Sequence, residues 1–199
     1  YISESIKFFA DELHLDQVFM NTVFENIWEN GDPDIYYEQL IKTADFLLDN
    51  DRYVDMYVSI FDPSLLYNPD GAPKSWCGCG NCMIAVDPNG DLFPCLRFRT
   101  LSKQAYWGCG NIQQGVDYNK LLPFKFYHNM SKNTKCLDCK YKSGCAWCPG
   151  NCYDELGTIF DRTTFYCDMH IKRAEACKYF FNKIAKKENK TLEQVINFE

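Results

Sequence analysis

The sequence has no excess of positive charge and no long apolar run. Its 21 Lys and Arg residues are outnumbered by 27 Asp and Glu residues, so the formal net charge is -6 at pH 7. This balance gives no overall attraction to nucleic acid phosphates or to anionic lipid. The chain also lacks an apolar run of about eighteen residues and the basic, apolar and small-residue order of a secretory signal. We therefore expect no nucleic-acid partner, no membrane partner and a cytoplasmic location.

Histidine is scarce, and an initiator methionine is absent. The chain contains only three histidines, and none of them stands at zinc-finger spacing from the cysteines. We therefore expect His14, His128 and His170 to be ordinary side chains. The first residue, Tyr1, stands at the start of a predicted helix, which favours an excised piece of a longer protein.

Cysteine, by contrast, is abundant. The chain holds twelve cysteines among its 199 residues, and 46% of its residues are hydrophobic. Small disulfide scaffolds are usually short, loop-rich and poor in apolar core residues. A chain of this length with a full apolar complement does not need disulfides to fold. Metal or cluster ligation is therefore the expected role of most of the thiols.

The first sixty residues predict a helix, a strand and a second helix. Apolar residues in 3–13 recur at helical spacing, at Ile6, Phe8, Phe9 and Leu13. Residues 17–24 are β-branched and aromatic, which suits a buried strand. The second helix is predicted to begin with Asp32 as N-cap and Pro33 at its first position, and to bury a face listed as Tyr37, Leu40, Ile41, Ala44, Leu47 and Leu48. This α/β order implies parallel pairing, with partner strands expected upstream.

The character of the sequence changes after residue 60. Residues 61–76 are rich in Pro, Gly, Asp and Asn and predict a linker. Residues 83–98 read as a β-hairpin, because Pro88 sets a turn and Gly90 can adopt positive φ. Residues 162–187 show helical spacing, and Thr191 with Gln194 forms a capping-box pattern for a short final helix.

Ten thiols between residues 77 and 167 have the spacing of metal ligands. They are Cys77, Cys79, Cys82, Cys95, Cys136, Cys139, Cys145, Cys148, Cys152 and Cys167. Short loops such as Cys136-x2-Cys139 allow several sulfurs to converge on one centre without a preformed cavity. Two four-cysteine sites would use eight of these thiols. By spacing alone, two structural zinc sites and two iron–sulfur clusters are equally compatible. Cys109 and Cys177 match no ligand position, and we expect them to be structural.

The cysteine order resembles that of a SPASM domain, the C-terminal extension of radical SAM (S-adenosylmethionine) maturases that act on peptides and proteins. The resemblance covers residues 77–167: Cys77, twelve residues, Gly90, four residues, Cys95, then Cys136-x2-Cys139-x5-Cys145 and finally Cys167. It implies an α+β fold, in which residues 1–60 are the end of a partial (β/α) barrel and 61–76 a linker. Residues 77–185 would form the SPASM domain, and 186–199 a tail or short helix.

The resemblance also implies two auxiliary [4Fe-4S] clusters and their ligands. One cluster would use Cys77, Cys79 or Cys82, Cys95, and Cys148 or Cys152; the other would use Cys136, Cys139, Cys145 and Cys167. The spacing Cys139-x5-Cys145-x2-Cys148-x3-Cys152 departs from the family's usual C-x5-C-x3-C, which leaves the choice between Cys148 and Cys152 open. The loop from Cys77 to Cys82 likewise offers three thiols where two are expected.

The implied function is that of an auxiliary cluster region in an enzyme that modifies a ribosomally made peptide or protein. The "CAWC" sequence is similar to that of maturases that form thioethers in cysteine-rich peptides. The C-x3-C-x2-C motif that binds the catalytic cluster is absent, so S-adenosylmethionine would bind only in a missing N-terminal barrel. We expect this chain to be inactive alone. The alternatives are a zinc-stabilised interaction module without a redox role and a peptide oxidase similar to anaerobic sulfatase maturases.

Overall fold

The computed structural model of the chain describes residues 1–66, 77–101, 105–126 and 134–196. In chain order the described helices are α1 (Ile2–Asp11), α2 (Asp32–Asp49), α3 (Leu96–Leu101), α4 (Tyr118–Phe126), α5 (Thr134–Leu137), α6 (Pro149–Leu156), α7 (Cys167–Lys187) and α8 (Leu192–Ile196). The described strands are β1 (Gln17–Val18), β2 (Tyr57–Val58), β3 (Ala85–Val86), β4 (Asp91–Phe93), β5 (Gly110–Asn111) and β6 (Gly115–Val116). The chain divides into two units.

The first unit is built on two long helices. It comprises the described residues within Tyr1–Gly71, Ser143–Cys145 and Phe165–Glu199. Helix α2 packs along α7, and α1 packs against α2. The side chains buried at the centre of these faces are Leu40, Ala44 and Leu47 on α2 and Ala174, Cys177 and Phe181 on α7. Acidic residues in the first turn of α2 and lysines in the last turn of α7 complement the helix dipoles.

A buried arginine links α7 to the segment after β2. The Arg173 side chain is 5% exposed, and its guanidinium donates hydrogen bonds to the carbonyl oxygens of Ile60 (3.0 Å) and Ser59 (2.7 Å). A buried guanidinium without such acceptors would cost several kcal/mol of desolvation. The two hydrogen bonds to these carbonyl groups therefore fix the position of α7 against the segment after β2.

The sheet of the first unit corrects the prediction for residues 17–24. Only Gln17 and Val18 form a strand, and they pair in parallel with Tyr57 and Val58, so the partner lies downstream within the chain. Beyond Val18 the side chain of Ser59 replaces the backbone ladder. Its Oγ accepts the N–H of Met20 (2.9 Å) and donates to the carbonyl of Met20 (3.1 Å).

Helix α2 begins one residue away from the predicted position. Gly31 is the N-cap, with φ 101°, and Asp32 is the first helical residue. The Asp32 carboxylate accepts the backbone N–H of Glu29 (2.8 Å) instead of capping its own helix. The predicted core face was also wrong at Tyr37 and Ile41, which are half-buried, whereas Tyr36 and Thr43 are buried. The Tyr36 hydroxyl forms a buried hydrogen bond with the Thr22 hydroxyl (2.8 Å), which satisfies both groups.

Helix α1 forms close to its predicted bounds but turns a different face inward. Its buried residues are Ser3, Ile6 and Ala10. Phe8, which the apolar pattern placed on the core face, is 51% exposed, and Leu13 beyond the helix is 50% exposed. Helix α1 packs against α2, and its buried residues include Ile6 but not Phe8.

The second unit contains a small antiparallel sheet and short helices. It comprises the described residues within Ala72–Lys142 and Ala146–Thr164. Its strands are ordered β3-β4-β5-β6, and each neighbouring pair is antiparallel. An aromatic core lies beside the sheet, where the Phe98 ring contacts the rings of Trp107 (4.8 Å between centroids) and Phe124 (5.0 Å). The fold is thus mixed helix and sheet, as expected for the α+β class.

The structure groups the predicted segments differently at two points. Helix α7, which the sequence placed in the 77–185 domain, belongs to the first unit because its buried side chains pack on α2. Among the described strands only β1 and β2 pair in parallel, and no barrel is closed. Residues 67–76 of the predicted linker and 197–199 of the predicted tail lie outside the described residues. Within the described chain, no helix is both long and apolar enough to cross a membrane.

Candidate metal centre

The predicted hairpin places Cys95 at the start of a helix. The Asp87 carboxylate accepts the N–H groups of Asn89 (2.8 Å) and Asp91 (3.1 Å), and Gly90 adopts φ 83°. These contacts close the turn between β3 and β4, so the hairpin prediction is confirmed. The chain leaves β4 at Phe93, and Cys95 directly precedes α3, where its carbonyl accepts the N–H of Arg99 (3.3 Å).

A glycine-rich loop carries Cys79 to the same place. The carbonyl of Gly78 accepts the N–H groups of Asn81, Cys82 and Met83, each at 2.9 Å. Gly78 and Gly80 have φ values of 66° and 65°, which glycine adopts without a side-chain penalty. The N–H of Gly80 donates to the carbonyl of Pro94 (3.0 Å), immediately before Cys95. The loop that carries Cys79 is therefore anchored next to Cys95, at the end of the hairpin.

Cys148 reaches this region from α6. It is the N-cap of α6, and its Sγ accepts the backbone N–H of Asn151 at 3.4 Å. Pro149 takes the first helical position, where its missing N–H is not needed. Helix α6 packs against α3, the helix that follows Cys95. Both thiols therefore lie at helix starts, where backbone N–H groups are available to sulfur.

The electrostatics of the thiols show that four of them are neighbours. Cys79 donates a hydrogen bond to the sulfur of Cys95, which raises the pKa of Cys79 and lowers the pKa of Cys95. Burial is the main cause that raises the pKa values of Cys77 and Cys148, and the charge of Cys95 adds to the rise at both. We call Cys77, Cys79, Cys95 and Cys148 the first thiol set. All four belong to the second unit.

The other two thiols offered for this site have different surroundings. Cys82 is exposed, and its sulfur lies over Gly78, in the space that a Cβ on that glycine would fill. Cys152 is 1% exposed and belongs to the apolar core of the second unit. Burial raises the pKa of the Cys152 thiol to about 11, although hydrogen bonds from Thr163 oppose this rise. Cys148 lies near Cys152, but Cys152 faces the core.

The remaining predicted ligands are divided between the units. We call Cys136, Cys139, Cys145 and Cys167 the second thiol set. Cys136 and Cys139 belong to the second unit and are joined by a turn, in which the N–H of Cys139 donates to the carbonyl of Cys136 (3.4 Å). Cys145 and Cys167 belong to the first unit. Tyr166 directly precedes Cys167 in the chain, and it lies near Cys145. The convergence of this set on one centre stays a prediction.

The two cysteines expected to be structural lie in cores. Cys109 is fully buried in the second unit, and its N–H donates to the carbonyl of Leu92 (2.7 Å). Cys177 is fully buried on α7, where its thiol donates to the carbonyl of Asp62 (3.3 Å). Burial strongly raises the pKa of Cys177, whose thiol is enclosed in the core of the first unit.

The first thiol set fits an anionic metal centre by its chemistry. Thiolate is the ligand form that both zinc and iron–sulfur clusters require. N–H groups of Arg97 and Phe98 point at the sulfur of Cys95, and those of Gly150 and Asn151 point at that of Cys148. Such donors stabilise negative charge on metal-bound sulfur. All twelve cysteines are free thiols, and among the described residues no three Cys, His, Asp or Glu side chains are already spaced to hold a metal ion.

Sequence reasoning missed Arg97 and Gly150. Arg97 follows Cys95 by two residues and Gly150 follows Cys148 by two, so each stands within one turn of a thiol. Their proximity results from the packing of α3 against α6, for which the sequence carries no local signal. A search for basic residues beside each candidate ligand would have found Arg97 but not Gly150, against which the Arg97 side chain packs.

Comparison with known proteins adds no relative. No family model matches the chain, and no curated protein shows significant similarity to it. The resemblance to SPASM domains therefore depends on the cysteine order alone.

Proposed function

We propose that the second unit binds one [4Fe-4S] cluster through the first thiol set. The observation that carries this proposal is the meeting of Cys79 and Cys95 with Cys77 and Cys148 at the starts of α3 and α6. Four thiols supply the ligands of such a cluster, and the backbone N–H groups stabilise its charge. Between the alternatives that the sequence left open, this arrangement favours Cys79 over Cys82 and Cys148 over Cys152.

A second [4Fe-4S] cluster is proposed at the second thiol set. Its support is the spacing Cys136-x2-Cys139-x5-Cys145 followed by Cys167, which completes the order seen in SPASM domains. The two clusters would be auxiliary centres of a radical SAM enzyme that modifies a ribosomally made peptide or protein. S-adenosylmethionine would bind in an N-terminal barrel outside this chain. A cytoplasmic location agrees with twelve cysteines that are all free thiols.

The chemistry that such clusters supply is one-electron transfer or the binding of a substrate thiolate. Full ligation by four protein thiols favours electron transfer, because it leaves no iron open to the substrate. In the first thiol set the protein's own part is to hold the sulfurs, to donate N–H groups to Cys95 and Cys148 and to bury Cys79 away from water. Burial and these hydrogen bonds set the reduction potential.

Anaerobic reconstitution tests the proposal. Incubation of the chain with iron and sulfide is expected to give brown protein with about eight irons and eight sulfides per chain, as two [4Fe-4S] clusters require. Tight binding of zinc without sulfide, in colourless protein, would instead support the zinc-stabilised interaction module. Oxidation of a peptide by the barrel-containing enzyme, without any thioether product, would favour the alternative similar to sulfatase maturases.

Two matched pairs of variants test the ligand assignment. Cys79→Ala and Cys148→Ala should each reduce the bound iron to about four atoms per chain, because one of two clusters is lost. Cys82→Ala and Cys152→Ala, which change a neighbour in the same loop or helix, should retain about eight. If Cys82→Ala loses iron and Cys79→Ala does not, the first thiol set is wrongly assigned.

A further inference from the structure

Arg97 occupies a space that Gly150 leaves open by its lack of a side chain. It lies on α3, two residues after Cys95, and Gly150 lies on α6, two residues after Cys148. A Cβ added at Gly150 would lie 2.6 Å from Cδ and 2.9 Å from Cγ of Arg97. Because real Cβ atoms do not approach other carbons so closely, any larger residue at position 150 would displace the arginine side chain.

This packing directs the positive charge of Arg97 to the thiols. The guanidinium lies close enough to Cys95 and Cys148 to interact electrostatically with both sulfurs. The backbone N–H of Arg97 also donates to the sulfur of Cys95. One residue therefore contributes both a cation and an amide donor beside the first thiol set.

A cation in this position acts unequally on the two redox states of an anionic centre. Reduction by one electron makes a thiolate-bound cluster more negative, so a nearby positive charge stabilises the reduced state more than the oxidised state. We propose that Arg97, held in place by Gly150, is a positioning residue that raises the reduction potential of the centre bound by the first thiol set. This inference rests on the proposed function.

The same helix provides a matched control. Arg99 is exposed and two residues further along α3, so Arg99→Gln removes the same charge from the chain but leaves the charge of Arg97 in place. Arg97→Lys retains the charge at position 97 but loses the planar guanidinium. Gly150→Ala retains the arginine and displaces its side chain.

The experiment is a potentiometric titration of the reconstituted chain, with dithionite as the electron donor and electron paramagnetic resonance as the readout. In Arg97→Gln the reduction equilibrium of one cluster should shift about tenfold toward the oxidised form, which equals 59 mV for one electron. Gly150→Ala should shift it in the same direction, while Arg97→Lys and Arg99→Gln should leave it within about twofold of the parent chain.

The outcomes separate this inference from the proposed function. A parent chain that binds no iron and sulfide overturns the proposed function and, with it, the role of Arg97. A parent chain that holds its clusters, with the same potential in Arg97→Gln and Gly150→Ala, overturns only the role of Arg97. An equal shift in Arg99→Gln does so too, because net charge and not position would then be responsible. If Arg97→Gln does not retain its cluster, Gly150→Ala tests the role of Arg97 instead. A shift toward the oxidised form supports this role, and an unchanged potential overturns it.

Discussion

In the first unit an 18-residue helix, α2, packs along a 21-residue helix, α7, whereas the longest described helix of the second unit, α4, has nine residues. The strands of the second unit are two or three residues long, and its turns use glycines with positive φ. Long helices bury wide apolar faces by themselves. Short elements bury less, so the second unit has more to gain from ligands that join its loops.

The two units also use arginine differently. Arg173 in the first unit is buried and donates to two backbone carbonyls, so its charge stabilises one arrangement of α7 and the segment after β2. Arg97 in the second unit is half-buried and acts on Cys95 and Cys148. The buried charge of the first unit thus serves backbone contacts, while the half-buried charge of the second unit lies near thiols that we propose as ligands.

Removal of metal should produce the largest difference in stability between the two units. We expect the backbone amides of α3 and α6 to lose several kcal/mol of protection from hydrogen exchange when iron is chelated, because metal binding contributes directly to folding. The amides of α2 should change little, since its buried face packs on α7. Hydrogen exchange of reconstituted and metal-free chain, read by mass spectrometry, measures both. Equal protection of α3 and α6 in the two states would show that the second unit folds without metal.

A pair of glycine variants tests how strongly the second unit depends on its tight turns. Gly80→Ala should destabilise the reconstituted chain by about 3 kcal/mol, because φ is 65° and the new Cβ would lie 2.5 Å from Cγ of Phe124. Gly115→Ala, with φ 85° and no atom within 4 Å of its new Cβ, should cost about 1 kcal/mol. Urea denaturation measures both changes.

Similar losses for the two variants would mean that contact with Phe124 does not hold the loop of Cys79. Steric constraint at the glycine turns would then not distinguish the two units, and only the effect of metal removal on their stability would.

The first unit should weaken in alkaline solution. Burial raises the pKa of Tyr36 to about 12, despite the hydrogen bond from Thr22. Tyrosine in an unfolded chain loses its proton near pH 10, so its contribution to stability is complete below pH 10 and is lost as pH rises to 12. The loss amounts to about 2 kcal/mol. Denaturation curves measured between pH 9 and pH 12 should show this decline.

Tyr36→Phe should reduce the alkaline slope, because it removes the buried hydroxyl whose pKa is raised. Part of the slope should persist in Tyr36→Phe, because burial also raises the pKa values of Tyr166 and Cys177. An unaltered slope in Tyr36→Phe would contradict the burial of this hydroxyl.

Several local features were predictable because neighbouring residues determine them. The β3–β4 hairpin follows from Asp87 and Gly90, which close the turn through hydrogen bonds within the turn itself. The final helix follows from Thr191 and Gln194, whose side chains each accept the other's backbone N–H (2.9 and 3.3 Å). Helical spacing likewise located α2 and α7 to within a few residues.

By itself the sequence determined the number of thiols, their spacing and the turns and caps next to them, since these depend on residues a few positions apart. Only the tertiary structure decided which thiols meet, that Tyr36 faces the core instead of Tyr37, and that β1 pairs with β2. It alone brought Arg97 against Gly150. Each of these contacts joins segments distant in the chain, so it depends on how whole helices and strands pack and leaves no local pattern in the sequence.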